Sequence, residues 1–197
     1  MDEPPAAADA NVRAPCYQVA RTLRACWHCG GATPVVGIAL PPTHETLIAD
    51  GEDDEDDEDH DGDDGDDAGG AVAPADVWRP AGARAWIFYV QFLCADAELR
   101  LRGIAPLYRY AYSRTIDGRY WINHCAHCGA AQGDHYLHCE PDVAFMPTTP
   151  AAARRIVLFA VREPFAARAC GHALDPPFLD ALSATPRPPP WPSISST

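Results

Sequence analysis

The sequence predicts an α+β, β-rich fold with a zinc-ribbon-like core, paired knuckles and a few short helices. The first observation is a repeated cassette, Cys-x-His-Cys-Gly, which occurs at residues 26–30 and again at residues 125–129. The second is that short runs of β-branched and aromatic residues lead into and out of these cassettes, as strands do. The third is that helical patterning is brief. Residues 95–102 are rich in helix formers and end at Gly103, and residues 176–182 allow one or two turns at most.

The predicted elements of the N-terminal part flank the first cassette. Residues 1–14 are rich in proline and alanine, which predicts a disordered end. Residues 17–25 are expected to enter the cassette as a strand. Residues 35–40 are β-branched, short and bounded by proline on both sides, and they predict the strand that leaves it. This part of the chain is therefore expected to fold as strand, knuckle, strand.

An acidic, low-complexity segment interrupts the chain. Residues 50–67 hold 14 of the 28 acidic residues and no basic one, so the net charge of −13 misrepresents the rest, where 14 acids face 15 arginines. Like charges at this density repel one another and bury no apolar surface. We therefore predict a disordered loop over residues 48–76, within a single zinc-binding domain that spans residues 15–182.

The predicted elements of the C-terminal part converge on the second cassette. Residues 86–93 are aromatic and β-branched, which predicts a buried strand. Tyrosines alternate along residues 108–112 as one face of a strand would. An Asp-Gly turn at residues 117–118 folds this strand back onto another over residues 120–124, which runs into the cassette.

Beyond the second cassette the predicted elements are few. Residues 155–161 predict one more strand, because they are apolar and β-branched. Residues 183–197 are rich in proline, which favours polyproline II and predicts a disordered tail.

The principal site prediction is Zn²⁺ bound by Cys26, Cys29, Cys125 and Cys128. Each Cys-x-x-Cys turn presents two thiolates, and two such turns complete a tetrahedral site. The glycine that follows each pair lets backbone amides turn towards the sulfurs. Four thiolates leave no open coordination position, so the predicted zinc is structural rather than catalytic.

Two other interpretations of the cassettes stay open at this point. A site built from the second cassette alone would be completed by His135, His138 or Cys139, in an order that resembles a zinc finger. A thioredoxin-like redox pair needs a reactive cysteine where a helix starts after a strand, whereas glycine and β-rich sequence surround both pairs.

Composition bears on location and on enzymatic function. The chain starts with an acidic, Pro-rich segment, unlike a secretory signal, and no apolar run approaches the ~20 residues of a membrane span. We therefore expect a cytoplasmic protein, in which Cys-x-x-Cys pairs bind metal rather than form disulfides. No phosphate loop, dinucleotide fingerprint or nucleophile elbow is present. We predict no catalytic and no cofactor-binding residues.

The leading functional prediction is a non-enzymatic module that binds a protein partner. The alternative is a nucleic-acid-binding zinc ribbon, because five arginines and four tyrosines are interleaved along residues 100–120. Arginines that hold phosphates and aromatic rings that stack on bases are the expected ingredients of such a surface. Against this, the tyrosines alternate as a strand's core face would, and the net charge of the whole chain repels nucleic acid.

Two blocks of the sequence resemble a family of uncharacterised bacterial proteins. Residues 26–35 read Cys-Trp-His-Cys-Gly-Gly-Ala-Thr-Pro-Val, and residues 112–115 read Tyr-Ser-Arg-Thr. Residues 120–134 read Tyr-Trp-Ile-Asn-His-Cys-Ala-His-Cys-Gly-Ala-Ala-Gln-Gly-Asp. The resemblance implies paired Cys-x-x-Cys-Gly knuckles that belong to one zinc-ribbon-like module. It implies no activity, and neither the acidic segment nor the Pro-rich tail is part of the signature.

Overall fold

The computed structural model describes residues 10–48 and 76–174, together with residues 178, 182, 184 and 185. Within these residues the chain forms twelve strands and three helices. The strands are β1 (Val12–Ala14), β2 (Tyr17–Ala25), β3 (Ala32–Leu40), β4 (Glu45–Ile48), β5 (Val77–Pro80), β6 (Ala85–Leu93), β7 (Tyr108–Ser113), β8 (Gly118–His124), β9 (Ala131–Gln132), β10 (Val157–Val161), β11 (Phe165–Leu174) and β12 (Ala184–Thr185). The helices are α1 (Ala95–Ile104), α2 (His135–His138) and α3 (Pro150–Ala153).

Two sheets of unequal size organise these strands. The large sheet has nine strands in the order β12-β10-β2-β3-β6-β11-β1-β4-β5, and the small sheet has three in the order β7-β8-β9. All neighbouring strands are antiparallel except β10 and β12, which are parallel. The large sheet, with strands of up to ten residues, is the main body of the described fold.

The predicted α+β fold with a zinc-ribbon-like core is wrong. Strands β2 and β3 lie on either side of the first cassette, and each has nine residues. Besides pairing with each other, β2 pairs with β10 and β3 pairs with β6. They therefore bury their side chains in the core of a wide antiparallel sheet, rather than in a small core around a metal. Helix is confined to the ten residues of α1 and two four-residue helices within the described part of the chain.

Strand β3 lies in the middle of the large sheet and is buried on both faces from Thr33 to Leu40. Its side chains alternate between two cores, as the pleat of a strand requires. Val36, Ile38 and Leu40 belong to the first core, which also receives side chains from α1 and the small sheet. Val35 and Ala39 belong to the second core. A continuous apolar run is typical of such a doubly covered strand.

Each core is closed by a different part of the chain. Ala97 and Leu101 of α1 and Trp121 of the small sheet pack into the first core. Leu137 of α2 and Phe145 from the following loop pack into the second core. The segment after β8 therefore passes from one face of the large sheet to the other, and the second cassette lies on that path.

The sequence predicted seven elements that the structure contains: β2, β3, β6, α1, β7, β8 and β10, with ends displaced by three residues or fewer. It missed β11, the longest strand, whose residues are Phe-Ala-Ala-Arg-Ala-Cys-Gly-His-Ala-Leu. This run contains no β-branched residue, so its strand propensity is low. It is a strand because β6 and β1 pair with it on either side.

Two boundaries of the predicted domain differ from the structure. Strand β1 lies within residues 1–14, which were expected to be disordered, because its backbone pairs with both β11 and β4. Strand β12 lies within the predicted tail and pairs with β10. The predictions for residues 1–9, 49–75 and 186–197 concern residues outside those described, and most of the predicted helical turns at residues 176–182 do as well. None of the described helices has the length and hydrophobicity needed to cross a bilayer.

Candidate metal centre

The two cassettes form two nearly identical hairpin turns. The first joins β2 to β3 in the large sheet, and the second joins β8 to β9 in the small sheet. In the first turn the amide of Gly30 donates to the carbonyl of Cys26 at 2.9 Å. In the second the amide of Gly129 donates to the carbonyl of Cys125, also at 2.9 Å. The repeated motif therefore encodes a repeated backbone structure.

Glycine is required at the end of each turn. Gly30 has a φ of 73° and Gly129 has a φ of 72°, in the left-handed region that other residues rarely adopt. An added Cβ would meet no atom within 4 Å at either position, so the requirement comes from the backbone and not from crowding. This conformation lets the chain turn back immediately after the second cysteine of each pair.

The turns bring four sulfurs together. The Sγ atoms of Cys26, Cys29, Cys125 and Cys128 all lie within 4.8 Å of one another. Cys26 Sγ lies 3.7 Å from Cys128 Sγ, and Cys29 Sγ lies 3.7 Å from Cys125 Sγ. A Zn–S distance of about 2.3 Å places the sulfurs of a regular tetrahedron about 3.8 Å apart. The cluster therefore has the dimensions of a four-thiolate metal site and could hold a metal ion.

Each turn contributes one buried and one exposed sulfur. Cys26 and Cys125 are 2% exposed, whereas Cys29 and Cys128 are exposed. The two 3.7 Å distances each join a buried sulfur of one turn to an exposed sulfur of the other. The site thus lies at the surface, with its inner sulfurs facing the protein.

Nitrogen donors surround the inner sulfurs. The amides of His28 and His127 lie 3.4 Å from the sulfurs of Cys26 and Cys125, respectively. The side-chain amide of Gln132 donates to Cys26 Sγ at 3.3 Å. Such donors favour the thiolate, the form that binds metal. Gln132 is 5% exposed, so this donor is held inside the protein.

The pKa values of the thiols diverge within the cluster. Burial raises the pKa of Cys26, but the amides of Cys29 and His28 and the nearby thiols outweigh burial and bring this pKa to about 6. The amide of Ala130 lowers the pKa of Cys128, but desolvation and the other three thiols outweigh it and raise this pKa to about 12. Four sulfurs at these distances cannot all be negative unless a cation compensates their charge, and a bound dication deprotonates such thiols.

Side chains also tie one turn to the other. The indole N–H of Trp27 donates to the carbonyl of Ala131 at 2.7 Å, and His127 Nε2 lies 3.0 Å from the carbonyl oxygen of Ala32. The His127 ring passes so close to Gly31 that an added Cβ there would lie 2.9 Å from its Cδ2. His127 therefore contacts the opposite hairpin.

The junction between the sheets depends on Asn123, which is 1% exposed. Strand β3 pairs with β6 only from Ile38 to Leu40, and the two strands separate on the cassette side of that segment. There the side chain of Asn123 accepts from Val36 N at 2.8 Å and donates to Val36 O at 2.9 Å. An asparagine side chain thus supplies the hydrogen bonds that a neighbouring strand would otherwise make.

Asp134 bonds to β6 where β3 and β6 separate, as Asn123 bonds to β3 there. Its Oδ2 accepts from the amide of Tyr89, two residues beyond the last β6 residue that pairs with β3, at 2.7 Å. Tyr89 has a φ of 52°, an uncommon conformation for a bulky residue. Burial raises the pKa of Asp134 to about 7, against the effect of the Tyr89 hydrogen bond. Asp134 also directly precedes α2, but its side chain makes no capping bond.

The alternative site around the second cassette is not assembled. His138 is stacked between Phe88 and Phe145, and burial lowers its pKa to about 3. His135 does not join the cysteine cluster, and its Nε2 atom lies 3.3 Å from a carboxylate oxygen of Glu140. Among the described residues, Cys26, Cys29, Cys125 and Cys128 form the one group of three or more metal-ligating side chains.

No family model, curated protein or solved structure matches this chain.

Proposed function

We propose that Cys26, Cys29, Cys125 and Cys128 bind one structural Zn²⁺ in a cytoplasmic protein, and that this ion fastens the small sheet to the large one. The observation that carries the proposal is the pair of 3.7 Å sulfur–sulfur distances, close to the ~3.8 Å of a zinc tetrathiolate. Two ligands come from each sheet, so the ion would link the β2–β3 turn to the β8–β9 turn. Thiolate ligands of this kind persist in a reducing compartment.

Metal analysis of the purified protein tests this proposal. We expect one zinc per chain, and its loss in both Cys26→Ser and Cys125→Ser, because each variant removes a ligand from a different sheet. Cys139→Ser and Cys170→Ser are matched controls, since both cysteines are exposed and lie outside the cluster. Zinc retained at full stoichiometry in Cys26→Ser would contradict the shared site.

We further propose that the metal-bound turns present a surface for a protein partner. Trp27 supports this, because its side chain is 70% exposed although its indole N–H is fixed by the 2.7 Å bond to Ala131. An exposed aromatic ring that is already ordered loses little conformational entropy on binding, and tryptophan is enriched among the residues that dominate interfaces. Leu23, on the strand β2 that leads into this turn, is also 60% exposed.

A comparison of two exposed apolar side chains tests the partner surface. Proteins retained from a lysate by the wild type are identified, purified and titrated against Trp27→Ala and against Leu99→Ala, whose side chain is 74% exposed on α1. We expect a loss of about 30-fold or more in affinity for Trp27→Ala only, since a central aromatic anchor contributes about 2 kcal/mol or more. Equal effects of the two changes, at unchanged zinc content, would contradict this role of Trp27.

A further inference from the structure

A cleft lies between the end of α1 and the edge strand β7, and no residue of either cassette lines it. Its volume is about 210 Å³. This is smaller than the ~300–1,000 Å³ of a typical pocket for a whole small molecule, so the cleft suits one planar group that enters from a longer ligand. Its lining residues are Arg102, Pro106, Tyr108, Arg109, Tyr110 and Trp121.

The aromatic side of the cleft is a continuous set of three rings. The centroids of Tyr110 and Trp121 are 6.3 Å apart, and those of Tyr108 and Trp121 are 5.8 Å apart. Tyr108 and Trp121 are each 4% exposed and pack into the first core, which makes them a rigid floor. Tyr110 is half-buried and pairs with Trp121 across β7 and β8. The Tyr110 ring is therefore partly exposed for stacking, and Trp121 packs against it.

The charged side of the cleft is basic. Arg109 is exposed on β7, and none of the described residues that line the cleft carries a carboxylate. Arg102 forms an ion pair with Glu98 at 2.5 Å, which leaves the net positive charge at Arg109. On the same hairpin, Arg114 and Arg119 are exposed, and among the described residues none of these three hairpin arginines forms an ion pair.

The charge of the described residues also favours an anionic ligand. They contain 14 arginines and nine aspartates and glutamates, a net charge of +5, although the whole chain carries −13. The excess of negative charge therefore lies in other segments, chiefly in residues 50–67. The folded part is the kind of basic surface that attracts polyanions.

We propose that this cleft binds single-stranded nucleic acid, with one base stacked on Tyr110 and the adjacent phosphate held by Arg109. A nucleotide supplies both groups that the cleft would recognise, a planar ring and a negative charge next to it. An acidic peptide would satisfy the arginine but not the rings. A duplex would keep its bases stacked inside, away from Tyr110.

Fluorescence anisotropy with a labelled 12-nucleotide single strand of mixed sequence tests the proposal. The titrations use the full chain and a full-chain variant in which the 14 carboxylates of residues 50–67 are changed to amides. In the second protein we expect saturable binding at 50 mM salt. Arg109→Ala in that background should weaken binding about tenfold and reduce the log–log salt slope by about 0.7, the value for one phosphate contact on a single strand.

Two further variants separate stacking from charge. Tyr110→Leu should weaken binding about tenfold at an unchanged salt slope, because it removes the ring on which a base stacks and leaves the charges of the cleft unchanged. Arg154→Ala, an exposed arginine directly after α3, should change binding less than twofold. Thermal melting confirms that each variant is folded.

Three results would overturn the proposal. They are the absence of binding at 50 mM salt by both forms of the protein, equal weakening by Arg109→Ala and Arg154→Ala, and displacement of the strand by inorganic polyphosphate as effectively as by an unlabelled oligonucleotide of equal charge. The last result would leave only a non-specific polyanion surface, without a role for the rings.

Discussion

Replacement of Asp134 by asparagine should remove a large pH dependence from the stability of the protein. Asp134 is 2% exposed, and its pKa is about 7 in the folded protein compared with 3.8 for an ordinary aspartate. Because the folded pKa is raised, the stability is fully present below about pH 4 and is lost as the pH rises towards 7. At 1.36 kcal/mol per pH unit, this shift corresponds to about 4 kcal/mol of lost stability above pH 7.

The expected result is a difference between two pH profiles. Asparagine has nearly the same shape, stays neutral, and can still accept from the amide of Tyr89, so Asp134→Asn should match the wild type near pH 4 and exceed its stability by up to ~4 kcal/mol at pH 8. Contributions from the four clustered cysteines cancel in the difference, because Asp134 is not among the groups that shift their pKa values. The carboxylate in turn adds to the effect of burial in raising the pKa values of Tyr89, Tyr108, Tyr120 and Cys139.

Urea unfolding followed by tryptophan fluorescence, at half-unit steps from pH 4 to pH 8, measures both profiles. Asp96→Asn is the matched control for the loss of an aspartate, because Asp96 is exposed on α1. If the profiles of Asp134→Asn and the wild type are parallel throughout, the buried carboxylate has no raised pKa and the reasoning is refuted.

Three further changes test the junction between the sheets. Asn123→Ala would leave the N–H and C=O of Val36 without the partners that the side chain supplies. We expect urea unfolding to show that the free energy of unfolding falls by about 2–4 kcal/mol. A decrease below about 1 kcal/mol would show that water replaces the side chain. Gly31→Ala would place a Cβ 2.9 Å from the His127 ring. A zinc-competition titration should show that the affinity for zinc is lowered about tenfold, the size typical of changes next to metal ligands. An unchanged affinity would mean that the ring moves freely. Removal of zinc by a chelator should increase hydrogen exchange in β8 and β9 more than in β11. The reason is that, on our proposal, the small sheet depends on the ion for its attachment. An equal increase of exchange in all three strands would contradict that arrangement.

Much of the local structure could be predicted from the sequence, because it depends on neighbouring residues. Residues 35–40 and 86–93 are apolar and β-branched or aromatic, and both form strands that the structure buries. Strand β11 could not be predicted in this way, since its composition does not favour strand and its partners β1 and β6 are distant in the chain. The width of the large sheet, and with it the fold class, depended on such long-range pairing.

The candidate site divides in the same manner. The repeated cassette was sufficient to predict that Cys26, Cys29, Cys125 and Cys128 come together, because each turn is a local structure set by its cysteines and by a glycine with positive φ. No local pattern could show that Asn123 would take the place of a strand beside Val36, or that Asp134 would bond to Tyr89. Both contacts arise where β3 and β6 separate, a feature of the sheet and not of either segment.

The sequence by itself determined the two turns, their four cysteines and most of the strands that lead to them, since these depend on spacing, strand propensity and the conformational freedom of glycine. Only the tertiary structure decided that the turns belong to two different sheets, that a wide antiparallel sheet and not the cysteine cluster organises the core, and that buried polar side chains complete the junction. The physical reason is that the burial of side chains and the pairing of backbone groups depend on which segments the whole chain brings into contact. The sequence of a single segment does not determine those partners.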